Sequence, residues 1–123
     1  MTELKASTGA AYARILSVGS ATPSKVIDNE YLLQFIDSSD EWITQRTGIK
    51  ERRWVAEGET IETLCLEAAG KAIERSGIEA SKIGAVILST ISHYHQTPAL
   101  APKLAAELGI GDAAAYDISA ACA

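Results

Sequence analysis

The sequence is short of several things, and each shortage removes a class of explanation. It holds only two cysteines, Cys65 and Cys122, among 123 residues. Its first eleven residues are polar and small and carry no apolar core of a secretory signal, so they read as a short flexible leader. Together these argue against a disulfide framework and for reduced thiols in a cytosolic, cytoplasmic setting. No apolar run approaches the roughly 18–20 residues of a membrane span. Basic residues are few: 11 Lys and Arg against 16 Asp and Glu leave a net charge of −5, which does not suit a general nucleic-acid binder. The two histidines, His93 and His95, stand two apart and have no convincing set of further ligands, so no metal site is expected. Internal repeats, low-complexity tracts and linkers are also missing. What is there, 47% hydrophobic and 22% charged residues in one ordinary domain's length, is the composition of a folded globular chain.

The acidity has one local exception. Arg46, Lys50, Arg52 and Arg53 fall within eight residues, a basic patch that suits a phosphorylated ligand or an acidic partner, or else a solvated charged face.

Residues 12–19, short and rich in branched side chains, predict a first strand ended by Gly19 to Pro23. Asp28 is placed to cap a helix over residues 29–36, with Leu32, Leu33 and Ile36 on its apolar side. Ser38 followed three residues later by Glu41 predicts a capping box opening a short helix that Gly48 stops. Trp42 and Arg46 are then four apart on one helical face. A flat indole beside a guanidinium can stack on a base and meet a phosphate; it can equally form an internal cation–π pair with Trp42 half in the core. Residues 50–55 predict an edge strand or hairpin arm, and residues 56–59 a turn. Residues 61–76 carry the strongest helical pattern: Ile61, Leu64, Cys65, Ala68, Ala69, Ala72 and Ile73 make one apolar face, which places Cys65 as a small core residue. Residues 83–90 are apolar on both faces, as a covered strand requires. A polar loop over 92–97, a helix within 98–109 and a last strand over 114–119 complete an alternation that predicts an α/β layer with a largely parallel sheet. In such sheets chemistry gathers at the carboxyl ends of the strands.

The last strand runs into Asp117-Ile118-Ser119-Ala120-Ala121-Cys122-Ala123. Small residues let the backbone bend tightly, and a thiol at a strand-to-helix junction gains from the free N–H groups and positive end of the helix that follows. Both favour the thiolate and can hold a developing oxyanion, which is what a cysteine nucleophile for acyl transfer needs.

Three ordered blocks, Asp37-Ser38-Ser39-Asp40-Glu41-Trp42-Ile43, Arg46-Thr47-Gly48-Ile49-Lys50-Glu51-Arg52 and the Cys122 segment, resemble the β-ketoacyl-acyl carrier protein synthase III family of the thiolase-like superfamily. The similarity runs from Ile15 to Ala123. The resemblance implies a thiolase-like fold, an αβαβα sandwich in the full enzyme, of which residues 12–123 supply an incomplete N-terminal domain. It implies an acyltransferase that primes type II fatty acid synthesis, joining a short acyl-CoA to malonyl-acyl carrier protein with loss of CO2 through an acyl-cysteine. Cys122 matches the nucleophile, Trp42 and Arg46 the pair that brackets the adenine of coenzyme A, and Ser38 a polar contact near it. Gln96 and Thr97 match the loop that reaches the partner subunit's acyl pocket in a homodimer. Coenzyme A enters as substrate, with no tightly bound cofactor. The family's catalytic histidine and asparagine, and a glycine of the oxyanion hole, lie beyond Ala123, and His93 and His95 do not stand in for the histidine. The chain is accordingly expected to be a fragment, inactive alone and completed by a second polypeptide. Two other readings share these residues: an acyl-CoA condensing enzyme of secondary metabolism, and a non-catalytic scaffold that binds coenzyme A or pairs with another chain.

Overall fold

The computed structural model describes residue 9 and residues 11–119. Most of the expected leader, and the turn bearing Cys122, lie outside the described residues. The element order is β1 (Lys25–Asp28), α1 (Asn29–Leu32), α2 (Asp40–Thr47), β2 (Glu51–Trp54), α3 (Ile61–Ser76), β3 (Ala85–Ser89), α4 (Leu100–Glu107) and β4 (Ala114–Ile118), with a 3-10 turn at Ala80–Lys82.

The long helix α3 forms where its apolar period predicts. Thr60 caps it by accepting from the Thr63 N–H at 3.1 Å while the Thr63 hydroxyl accepts from the Thr60 N–H at 3.0 Å. Gly77, at φ 67°, ends it in the left-handed conformation that glycine takes without strain. Its apolar face is only half-buried, Cys65 included, so that cysteine is less enclosed than the pattern predicts.

Beyond α3 the chain makes a β–α–β unit. β3 and β4 pair in parallel, Ala85 opposite Ala114 and Ser89 opposite Ile118, and α4 crosses between them. This is the parallel pairing that the alternation predicted. Leu100, Ala101, Leu104 and Ala105 of α4, with Ile110 after it, form the main buried cluster. Pro102 sits in the first turn of α4, where its missing N–H leaves no intrahelical bond unmade. The two strands bury one face against α4. The other carries Ile87 (54% exposed), Tyr116 (47%) and Ile118 (40%), so the strand expected to be covered on both sides is covered on one.

Three local expectations change. Residues 12–19 are not a strand: they share no backbone ladder with any described strand and lie extended along α3. Ser17 Oγ donates to the Ala72 carbonyl at 2.6 Å, Arg75 to that of Val18 at 3.0 Å, and Lys71 to that of Ser20 at 3.2 Å. Arg75 and Lys71 of the helix thus take the Val18 and Ser20 carbonyls, and the Ser17 hydroxyl donates back to the helix, so side-chain bonds to α3 stand where a strand ladder was expected. Second, the ladder on this side is formed by β1, which sequence reading missed; it pairs antiparallel with β2, Lys25 opposite Trp54. Third, Asp28 does cap α1, accepting from the Tyr31 N–H at 2.8 Å, but that helix stops at Leu32. Leu33 and Ile36 are exposed, and without an apolar face to bury, so short a helix has nothing to extend it.

Candidate active site

The helix α2 starts one residue later than the capping-box reading places it. Ser39, not Ser38, has the extended cap backbone, and its Oγ accepts from the Trp42 N–H at 3.1 Å. Glu41 therefore falls in the first turn, where it favours the helix electrostatically without closing a box. Gly48, at φ 70°, ends the helix as expected. Ile43 faces inward, and Trp42 and Arg46 face out.

What anchors α2 is a side chain that no local pattern singles out. Asn29 is 1% exposed. Its amide nitrogen donates to Asp40 at 2.7 Å and to the Ile49 carbonyl at 2.9 Å, and its oxygen accepts from Arg52 at 2.6 Å. One buried amide thus ties together the starts of α1 and α2, the turn after α2, and β2. A fully paired polar hub of this kind fixes geometry, because losing any partner strands a buried group.

The basic patch divides accordingly. Arg52 is consumed by Asn29 and the Ile27 carbonyl. Arg53 lies 3.6 Å from Glu51 and 3.4 Å from the Ser24 carbonyl. Arg46 and Lys50 stay exposed. The Arg46 guanidinium carbon sits 5.6 Å from the Trp42 ring centroid, so the internal cation–π pair exists. The indole is nevertheless 56% exposed, so it is not half in a core. It borders a hollow of about 330 Å³ with Ile36, Asp37, Ser38 and Ser39. Three of the candidate ligand-binding residues, Ser38, Trp42 and Arg46, are thereby brought to one place.

A second concavity, of about 300 Å³, lies at the carboxyl ends of β3 and β4. The Thr90 N–H donates to the Ile118 carbonyl at 3.0 Å and carries the ladder one step past β3. Thr90, His93, His95, Gln96, Asp117 and Ser119 are among its walls. Gln96 is therefore at the strand ends; Thr97 is exposed and does not line the space. The ring centroids of His93 and His95 are 5.8 Å apart, and His93 Nε2 is buried with no hydrogen-bond partner among the described residues. Cys122 follows Ile118 by four positions in the sequence and lies outside the described residues.

Sequence reading also passed over Asp117 as an individual residue. It occupies the α4-facing side of β4, and its carboxylate accepts from the Leu100 N–H and the Ala101 N–H, each at 2.8 Å. A signal for it existed in α4: the cap position is Ala99, which has no side-chain acceptor, so the free N–H groups had to be met from elsewhere. Burial pushes the Cys65 thiol upward, and the Asp117 charge adds to that. Cys65 has the surroundings of an unreactive thiol.

The chain superimposes on solved structures with a thiolase-like fold. The priming β-ketosynthase of the R1128 polyketide pathway superimposes with a TM-score of 0.84 at 40% identity, covering 89% of this chain and 33% of that one. The 3-oxoacyl-[acyl-carrier-protein] synthase III of Aquifex aeolicus superimposes with 0.81 at 39%, covering 88% and 35%. The fold is that of the thiolase-like condensing enzymes.

No protein-family model matches the chain. Among curated proteins, β-ketoacyl-[acyl-carrier-protein] synthase III 1 of Streptomyces coelicolor is 54% identical over 123 residues, the whole of this chain and 36% of that protein. The chain is a homologue of β-ketoacyl-acyl carrier protein synthase III along its entire length and spans about a third of the length of the curated relatives it matches.

Proposed function

We propose that these residues belong to an acyltransferase that condenses a short acyl-CoA with malonyl-acyl carrier protein in the cytoplasm, as a homodimer serving fatty acid biosynthesis. The observation that carries this reading is the presentation of Trp42 and Arg46 to solvent beside the Ser38 hollow, in a chain homologous throughout to such enzymes. An exposed indole with a cation over it is equipped for a purine and its phosphates.

In this reading the Cys122 thiolate attacks the thioester carbonyl of the acyl-CoA. A new sulfur–carbon bond forms, the old one breaks, and coenzyme A leaves as a thiol after taking up a proton. Malonyl-acyl carrier protein then loses CO2, and its carbanion attacks the acyl-cysteine, freeing Cys122 and leaving a β-ketoacyl product. Gln96 and Thr97 contribute to the acyl pocket across the dimer. The histidine and asparagine that assist decarboxylation in the resembling enzymes have no counterpart in these 123 residues, so this stretch alone is expected to give no turnover.

The test is labelling of the full-length protein with radiolabelled acetyl-CoA. One acyl group per chain on Cys122, and none in Cys122→Ala, supports the reading. Binding of coenzyme A through Trp42 and Arg46 without acylation identifies a scaffold instead. A second enzyme reading, condensation in secondary metabolism, is favoured by the likeness to the R1128 priming β-ketosynthase. Comparing malonyl-carrier acceptors from fatty acid and polyketide systems separates the two.

A further inference from the structure

Asp117 does something no local rule explains: a strand residue caps a helix that precedes it in the chain. α4 has no cap of its own. Ala99 stands at the cap position with the right extended backbone (φ −63°, ψ 155°) and no acceptor. The acceptor comes from β4, 16 and 17 residues downstream, where the two oxygens of one carboxylate take the Leu100 and Ala101 N–H groups at 2.8 Å each. Two short bonds through one rigid planar group fix direction as well as distance.

The two ends of this clamp both border the concavity at the carboxyl ends of β3 and β4. On one side, the first turn of α4 is entered directly from the loop containing Gln96 and Thr97. On the other, β4 ends at Ile118, and Cys122 follows Asp117 by five positions in the sequence. Asp117 also lines the concavity at the strand ends, with Gln96 and Ser119. An ordinary serine or aspartate at position 99 would cap α4 equally well and leave the loop unattached to the strand.

We infer that Asp117 is a positioning residue whose carboxylate holds the Gln96/Thr97 loop in register with the end of the nucleophile strand, and so governs which acyl chains reach the cysteine. The inference rests on the acyltransferase reading above. It concerns the acyl end of the substrate only: Trp42 and Arg46 are held by the separate Asn29 hub, so affinity for the coenzyme A head does not depend on the clamp.

The test separates capping from positioning in the full-length protein. Asp117→Ala removes both, and Ala99→Ser in that background restores a local cap without the tie to β4. Melting temperature, coenzyme A affinity, and acylation rates with acetyl-CoA and butyryl-CoA are measured. The expected result is that Ala99→Ser recovers the melting temperature and that coenzyme A affinity is unaltered. Acylation should stay about tenfold to a hundredfold slow, with butyryl-CoA suffering more than acetyl-CoA. Recovery of both rates and of their ratio by Ala99→Ser would mean that Asp117 only caps a helix, and would overturn the inference while leaving the acyltransferase reading intact. If Asp117→Ala does not fold, Asp117→Asn keeps the shape and one acceptor; it is expected to shift the rate ratio in the same direction by a smaller factor, and a wild-type ratio in it overturns the inference. Wild-type protein that takes no label on Cys122 overturns both.

Discussion

Cys65 and Cys122 have the same side chain and different assignments. Burial and the neighbouring Asp117 charge raise the Cys65 thiol above its ordinary value, whereas the proposed function gives Cys122 the part of a thiolate nucleophile. Alkylation of the full-length protein with iodoacetamide near neutral pH, followed by peptide mass spectrometry, should therefore modify Cys122 well before Cys65, and Cys65→Ser should leave acylation unaffected. Asn29 is the residue whose loss reaches furthest. Asn29→Ala removes the shared partner of Asp40, Arg52 and the Ile49 carbonyl, and is expected to lower stability by about 1–3 kcal/mol, read as a reduced melting temperature together with weaker binding of the proposed coenzyme A substrate. Glu59 reports on pH. Its carboxylate accepts from the N–H of Ala56 and then that of Ser24, which holds its pKa below the ordinary 4.5. A carboxyl whose folded pKa is depressed contributes stability above its unfolded value and loses it as pH falls through the folded one. Acid titration of melting temperature should show that loss beginning below 4.5 in the wild type and diminished in Glu59→Gln.

Secondary elements were legible where their determinants are local. The period of α3, the glycine stops at Gly48 and Gly77, and the one-turn spacing of Trp42 and Arg46 all follow from residues within a few positions of one another. The extended stretch over 12–19 was not legible, because strand and non-strand differ only in what lies alongside. Its fit against α3 is tight: a Cβ on Gly19 would come within 2.1 Å of the Ala68 carbonyl oxygen and 2.7 Å of the Ala72 nitrogen. Both are backbone atoms of a regular helix and cannot give way. Gly19→Ala should detach this segment from α3, with faster hydrogen exchange over residues 12–20 and a stability loss of about 1–3 kcal/mol. The Ser38 and Ser39 ambiguity belongs here too: adjacent serines offer two cap registers, and the backbone chose the second. The candidate site was legible as a set of side chains, but its scaffolding was not, since Asn29 and Asp117 act across intervals that no local spacing rule spans.

At the scale of the molecule, the described residues bury too little. Ile87, Tyr116 and Ile118 form an apolar row across the open face of the β3–β4 pair, and a two-stranded parallel ribbon is normally covered on both sides. The 123-residue chain alone should bind a hydrophobic dye strongly and aggregate beyond a dimer, and the full-length protein should bind little dye and run as a discrete dimer; equal dye binding by both would mean the face is solvent-facing in the complete protein. Among the described residues no helix is long and apolar enough to cross a membrane.

The Arg46 guanidinium already occupies the neighbourhood of the Trp42 ring, so the purine of the proposed coenzyme A substrate would meet an indole with one side taken. If it arrives on the occupied side, it evicts the cation, which is released next to whatever phosphates the purine brings. If it takes the vacant side, it builds a three-decker with the indole in the middle. Under the proposed reading, the protein without coenzyme A thus keeps a resident stand-in on its landing pad, and binding there would be a contest between a guanidinium and a purine for the same ring.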